Sequence, residues 1–185
     1  MDMFRRPDTL IEAMDVVADF TIKQTVAAAK ASNAITAFFP LHKGADGFMS
    51  PKQFEKFYWP SLKKVLEGLL AEGIKPELFA EGTYTSRLET VNEFPKGAVS
   101  WLFDKTDMAA AKKILGPRCC ISGNVPSSLM VTGGPKDVKE YCRKIIELCA
   151  PGGGFILAGG AQVDQGNPEN LRAMMEAAKE FGRYK

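Results

Sequence analysis

The chain has 185 residues, of which 45% are hydrophobic and 25% charged, so composition and length predict one globular domain spanning residues 1–185. The net charge of +2 argues against a nucleic-acid partner and against a polybasic membrane surface. No apolar run is long enough to cross a bilayer, and the opening MDMFRRPDTL lacks the apolar core of a signal peptide, which favours a cytoplasmic protein.

The first part of the chain predicts a long helix, a strand and a loop. Apolar residues at near-helical spacing indicate a helix over 8–31, with Asp8 as its cap. The β-branched and aromatic run 35–39 indicates a strand. The glycine-containing loop 41–50 follows and carries His42, the single histidine of the chain.

A second helix and a second strand come next. Ser50-Pro51 predicts a helix start, and Pro60 is expected to kink or restart the helix before it ends at Gly73. Its aromatic run 54–59 is expected to be core or interface. Residues 75–80 indicate a short strand, and 83–89 a short helix.

A strand, helix and strand then follow in close succession. Residues 98–103 predict a buried strand, 106–115 a helix capped by Thr106, and 118–122 another buried strand. Such a short crossover implies parallel strands covered by helices. Asp104 and Asn124 follow the two strands, at the edge where parallel sheets place ligand sites.

The remaining sequence predicts the last strand between two helices. Residues 125–130 indicate a loop or one helical turn, and 135–150 indicate a helix. Residues 155–158 indicate the last strand, and a closing helix over 171–181 is expected to begin at the Asn167 cap. The chain thus predicts an α/β fold of about five strands that alternate with helices.

The positions of the four cysteines predict side chains that pack in the protein interior rather than metal ligands. Adjacent Cys119 and Cys120 on a strand point to opposite faces and cannot hold one metal ion together. Cys142 and Cys149 lie on one predicted helix. All four are expected to be reduced thiols packed as small hydrophobic groups.

Several segments resemble the uroporphyrinogen decarboxylase superfamily, which includes haem-pathway decarboxylases and corrinoid-dependent methyltransferases. The resemblance implies the fold of that family, a parallel (β/α)8 barrel of roughly twice this length. The chain is similar to about the last five β/α units, so we expect a partial barrel. The segments that carry the resemblance are HKGADGFMSPKQFEKFYW (42–59), Phe103-Asp104, ISGNVP (121–126), GPKDV (134–138) and GGFILAGGAQVDQGNPEN (153–170).

The resemblance also implies which family groups this chain lacks. The decarboxylases bind their substrate with arginines and an aspartate from the first half, and their late histidine falls at about Gly160 here. The methyltransferase branch binds zinc at positions that correspond to Phe79, Glu81 and again about Gly160. Glu81 is the single weak metal candidate, and one carboxylate does not make a zinc site. Zinc or a corrinoid is therefore expected through the resemblance alone.

Two carboxylates are the candidate catalytic residues. Glu81 and Asp104 each follow a predicted strand directly, at the expected barrel mouth. Helix capping is the alternative for both side chains, and an ordinary surface carboxylate is a further alternative for Glu81.

Five further residues are the candidate substrate-binding groups. His42 lies in a glycine-containing loop after a strand, and Tyr84 and Arg87 follow Glu81 where they could face an anionic substrate. Asn124 and Gln162 follow later strands. A solvated histidine and a loop-bracing amide are the alternatives for His42 and Asn124.

The resemblance implies tetrapyrrole-linked chemistry in a full-length parent, as corrinoid-dependent methyl transfer or uroporphyrinogen III decarboxylation, with the first slightly favoured. The alternative is a catalytically silent fragment or scaffold subunit. Because an open half-barrel exposes sheet edges and apolar faces, we expect self-association or a chain that completes the barrel.

Overall fold

The computed structural model describes residues 1–183 and contains one five-stranded sheet. The strand order follows the chain, and each neighbouring pair is parallel. The predicted parallel α/β fold is therefore confirmed. The strands are β1 (Thr36–Pro40), β2 (Lys75–Ala80), β3 (Ser100–Phe103), β4 (Cys120–Val125) and β5 (Phe155–Gly159).

Helices precede the sheet and connect its strands. Two short 3₁₀ turns, His42–Gly44 and Thr85–Arg87, follow β1 and β2, and a π-helical segment, Phe54–Tyr58, precedes Pro60. The α-helices are α1 (Asp2–Arg5), α2 (Pro7–Ser32), α3 (Pro51–Gln53), α4 (Trp59–Ala71), α5 (Met108–Ile114), α6 (Ser127–Thr132), α7 (Pro135–Cys149) and α8 (Pro168–Phe181).

One face of the sheet is buried against the helices. Leu78, Trp101, Phe103 and Ile121 alternate along the central strands and are at most 1% exposed. They form one cluster with residues of α4, α5 and α7, including Leu66. Burial of such side chains contributes about 1.5–3 kcal/mol each, so this layer is the main stabilising element of the fold.

The opposite face of the sheet, here called the inner face, lacks such a cover. Phe38 and Glu77 are register partners on this face and both are exposed, and Phe38 stacks on Phe79 with ring centroids 6.2 Å apart. On the other edge strand, Ile156 is 57% exposed. The inner face therefore carries apolar side chains at both edges of the sheet.

The helix starts confirm the predicted start at Ser50-Pro51 and the predicted Asn167 cap, and they correct two other predicted caps. Ser50 and Gln53 form the capping box of α3, and Asn167 accepts from the Glu169 amide at the start of α8. The predicted Thr106 cap is wrong. Asp107 accepts from the Ala109 and Ala110 amides of α5, whereas Thr106 is buried and its Oγ1 accepts from the Tyr84 amide. Helix α2 starts before Asp8, and its N-cap has no side-chain hydrogen bond.

Two local predictions needed correction. The short helix expected over 83–89 is a 3₁₀ turn, Thr85–Arg87, and the segment expected as a loop or single turn after β4 contains α6. The region around Pro60 is a π-helical segment that runs into α4, with Phe54, Phe57 and Trp59 buried as expected. Among residues 1–183, no helix has the length and apolar content that crossing a membrane requires.

All four cysteines are free, and Cys119, Cys142 and Cys149 are buried as the packing prediction expects. Burial raises the pKa of Cys119, Cys142 and Cys149 to about 11 in each case. Cys120 differs because it faces the inner side of the sheet and is partly exposed, although burial and the Glu77 carboxylate also raise the pKa of its thiol.

Thiol titration tests this arrangement. Because the thiolate is the reactive form, we expect one thiol, Cys120, to react with a disulfide reagent near neutral pH, faster as the pH rises, and the other three after unfolding. Cys120→Ser is expected to abolish the native reaction, whereas Cys142→Ser leaves it unchanged. Simultaneous reaction of three or four thiols in the folded protein would contradict the buried layer.

Candidate functional site

The candidate residues lie where strands β2, β3 and β4 end. Glu81 follows β2 and Asp104 follows β3, and both are partly exposed, while Asn124 is the penultimate residue of β4. Because the strands are parallel, their carboxyl ends share one edge of the sheet. This edge, together with the loops that follow β1 to β5, is called the rim below.

A histidine–carboxylate pair lies at the rim between β1 and β2. The Nδ1 atom of His42 and Oε2 of Glu81 form a hydrogen bond, and the side chains are 56% and 43% exposed. A carboxylate on one ring nitrogen fixes the orientation of an imidazole and leaves Nε2 available. The pair therefore has the groups needed to accept or deliver a proton.

Asp104 braces the rim next to this pair. Its Oδ2 accepts from the Gly82 amide at 3.0 Å, which ties the end of β3 to the segment that carries Glu81. Among residues 1–183, its Oδ1 accepts no hydrogen bond. Gly160 packs against this aspartate, and a Cβ at residue 160 would lie 3.0 Å from the Asp104 Cα and carbonyl oxygen. The position that corresponds to the late family histidine therefore has little room for a side chain.

Asn124 is 8% exposed and is bonded within the protein. Its Nδ2 donates to the Thr106 carbonyl at 3.1 Å, and its Oδ1 accepts from the Tyr141 hydroxyl at 2.9 Å. The preceding Gly123 has φ +116°, and a Cβ there would collide with the Phe103 carbonyl oxygen. These contacts match the bracing alternative for Asn124, and its substrate role stays a prediction.

Tyr84 is buried below the rim, with 1% of the residue exposed. Its hydroxyl donates to the Leu41 carbonyl, and its backbone N–H donates to Oγ1 of Thr106 at 2.9 Å. Burial raises the pKa of this phenol far above its ordinary value, and nearby Tyr58 raises it further. Tyr84 thus remains a neutral donor to the loop after β1.

Arg87 is buried to the same degree and also contacts the loop after β1. Its Nε donates to the Gly44 carbonyl at 3.3 Å, and its Nη2 donates to the Met49 carbonyl. The guanidinium lies 4.7 Å from the Phe54 ring centroid and pairs with Asp46 at 3.4 Å. A substrate role for Tyr84 and Arg87 stays a prediction, and their observed contacts are to the protein.

Gln162 lies beyond β5, on the opposite edge of the sheet from His42. It is exposed, and its Nε2 donates to Oδ1 of Asp164 at 2.8 Å. The open sheet does not bring this residue to the His42–Glu81 pair. Its substrate role also stays a prediction.

The described residues do not fit the zinc site of the methyltransferase branch. Residues 1–183 hold no group of three or more histidine, cysteine, aspartate or glutamate side chains that could bind a metal ion. His42 and Glu81 supply two potential ligands, whereas a zinc site needs three or four. Phe79 and Gly160 at the other expected positions offer no ligand side chain.

The pairing of His42 with Glu81 was missed by sequence reasoning, although both residues were candidates. They are 39 positions apart. The available signal was the expected order of the parallel strands, because His42 and Glu81 lie just after two strands that are neighbours in the sheet. Tyr141 was also missed, because a tyrosine on an amphipathic helix gives no sign that its hydroxyl contacts a strand end.

Comparison with known proteins agrees with this architecture. The uroporphyrinogen decarboxylase (URO-D) family model matches residues 1–181. A uroporphyrinogen decarboxylase of Geobacter metallireducens is 28% identical over 177 residues, and one of Pseudoalteromonas translucida is 26% identical over 193. These alignments cover 94% and 96% of this chain, and 50% of each relative.

A solved methyltransferase from Methanosarcina mazei has the same fold, with a TM-score of 0.79 and 18% sequence identity. The match covers 98% of this chain and 52% of that protein. The chain thus spans about half the length of the curated relatives and of this structure. From the family model, the parallel sheet and these matches, we conclude that the chain belongs to the uroporphyrinogen decarboxylase family and has the fold of half of its barrel.

Proposed function

We propose that this chain supplies the second half of a barrel that decarboxylates a carboxylated tetrapyrrole of the uroporphyrinogen type. The His42–Glu81 pair is the observation that carries the proposal, because it places a proton-transfer group at the carboxyl ends of parallel strands. Family membership and the activity named for both curated relatives support the substrate class.

Decarboxylation needs a proton at a defined place. When an acetate side chain on a pyrrole loses carbon dioxide, its carbon–carbon bond breaks and the electron pair passes to the remaining carbon framework. A proton then takes the place of the carboxyl group. His42 is the proposed donor of this proton, and Glu81 holds its ring and stabilises the charged imidazolium.

Asp104 and nearby lysines complete the proposed site. The free Oδ1 of Asp104 is suited to accept from pyrrole N–H groups, while its Oδ2 stays on Gly82. Lys43 and Lys105 are exposed and adjoin His42 and Asp104 in the chain, where they favour an anionic substrate.

Methyl transfer is the second candidate and has weaker support. The likeness to the methyltransferase is at 18% identity, so it speaks for the fold alone. The residues present at the expected zinc positions do not form a ligand set. For these reasons we place decarboxylation first, which reverses the slight preference drawn from the sequence.

We further propose that strands outside these residues close the barrel. The exposed inner face and the position of β1 and β5 at the two edges of the sheet favour this arrangement, as does the half-length coverage of the relatives. Five strands need three more to make an eight-stranded barrel, whereas a second copy would bring the total to ten. A complementary half fits that number better than a copy of this chain does.

Substitution at Glu81 tests the proton-transfer role. In a chimaera that carries the first half of the Geobacter metallireducens relative before this chain, we expect conversion of uroporphyrinogen III to less carboxylated products, measured by chromatography. Glu81→Gln and His42→Gln are expected to lower kcat by about 10²-fold, because each removes part of the proton donor.

Glu89→Gln is the matched control, because Glu89 is exposed in the same connection between β2 and β3. It is expected to retain wild-type turnover. Full activity of Glu81→Gln would contradict the assignment, and a folded chimaera that lacks turnover would favour the scaffold alternative.

Light scattering tests the closing surface. Because its inner face is uncovered, the isolated chain is expected to associate at micromolar concentration, and Phe38→Lys is expected to shift it toward the monomer. Leu148→Lys is the control, since Leu148 is exposed on α7 at the outer side. A wild-type chain that stays monomeric at this concentration would contradict an exposed apolar inner face.

A further inference from the structure

We propose that Arg87 and Tyr84 are positioning residues that hold His42 against Glu81, and this proposal rests on the proposed function. They lie on the connection after β2 that also carries Glu81. Their side chains contact the segment that carries His42, here called the histidine loop, residues 41–50. The two residues therefore join the two partners of the rim pair.

The contacts flank His42 on both sides along the chain. The Tyr84 hydroxyl donates to the carbonyl of Leu41, the residue before His42, and Arg87 Nε donates to the carbonyl of Gly44, two residues after it. The 3₁₀ turn His42–Gly44 thus lies between two anchored carbonyl groups. Fixing both ends of so short a turn limits the positions that the imidazole can take.

Asp46 ties the same segments together a second time. Its backbone N–H donates to the Thr83 carbonyl at 2.7 Å, and its carboxylate accepts from the Ser86 hydroxyl at 2.8 Å. The carboxylate also lies 3.4 Å from Arg87 Nε. Tyr84, Ser86, Arg87 and Asp46 together are called the clasp below.

Burial makes the Arg87 contacts hard to replace. A buried arginine stays charged, so its charge must be met by acceptors inside the protein. Here Asp46 and two loop carbonyls bind Nε and Nη2, and the Phe54 ring lies against the guanidinium, while Nη1 has no hydrogen-bond partner among the described residues. Because these acceptors belong to the histidine loop, movement of that loop would leave a buried charge without partners.

The histidine loop is also packed closely on the clasp. A Cβ at residue 44 would lie 2.9 Å from Cε1 of Tyr58 and closer still to the Tyr84 hydroxyl. A Cβ at residue 47 would meet no atom of the described residues within 4 Å. Gly44→Ala and Gly47→Ala therefore form a matched pair, in which one substitution disturbs the clasp and the other does not.

The single histidine allows a direct test by nuclear magnetic resonance on the whole chain. Glu81→Gln supplies the reference spectrum of an unpaired His42 ring. We expect Arg87→Met, Tyr84→Phe and Gly44→Ala to shift the ring nitrogen and proton resonances toward that reference, and Arg87→Lys to shift them partway. Gly47→Ala and the exposed Arg118→Met are expected to match the wild type.

Wild-type His42 resonances in folded Tyr84→Phe and Gly44→Ala, with folding checked by circular dichroism, would overturn the proposal even if Arg87→Met does not fold. In the active chimaera, Tyr84→Phe is expected to lower kcat about tenfold with KM unchanged. Shifted resonances in these variants, together with a folded chimaera that lacks decarboxylase activity, would leave the clasp standing and refute the proposed function.

Discussion

Burial of one sheet face, with the other left uncovered, is the constraint on which the rest of the structure depends. Leu78, Trp101 and Ile121 anchor the strands to the helices, and the parallel register then fixes which residues reach the rim. Because the strands end together, residues far apart in sequence meet there. The packing of the hydrophobic layer thus determines where the polar residues of the rim lie.

The rim residues divide by burial into two groups with different roles. The first group, His42, Glu81 and Asp104, has exposed or partly exposed side chains. The second group, Tyr84, Arg87 and Asn124, is buried and forms hydrogen bonds within the protein. A buried polar group must be satisfied inside the fold, which is why the second group braces the first. Residues proposed to take part in the reaction and residues that brace them therefore lie on the same loops after the strands.

The sequence predicted the strands, the parallel fold and the position of Glu81 and Asp104 at the strand ends, because these follow from local patterns and from the geometry of parallel sheets. It did not predict which polar residues are buried. Arg87 and Tyr84 follow Glu81 and looked like groups for an anionic substrate, yet their partners lie about 40 positions earlier. A sequence pattern shows which residue types could bind a substrate, but the burial of a given side chain depends on contacts that form only when the sheet is assembled.

The His42–Glu81 pair at the rim is exposed to solvent, as the inner face of the sheet is. A hydrogen-bonded pair that is about half exposed competes with water for its partners and adds little to stability. The same pair in an enclosed site would act more strongly, because the effective dielectric constant falls as water is excluded. Closure of the barrel would supply that enclosure, since strands added beside β1 extend the wall next to His42. The proposed complementary half would cover both the inner face and the exposed pair, and the proposed chemistry depends on that closure.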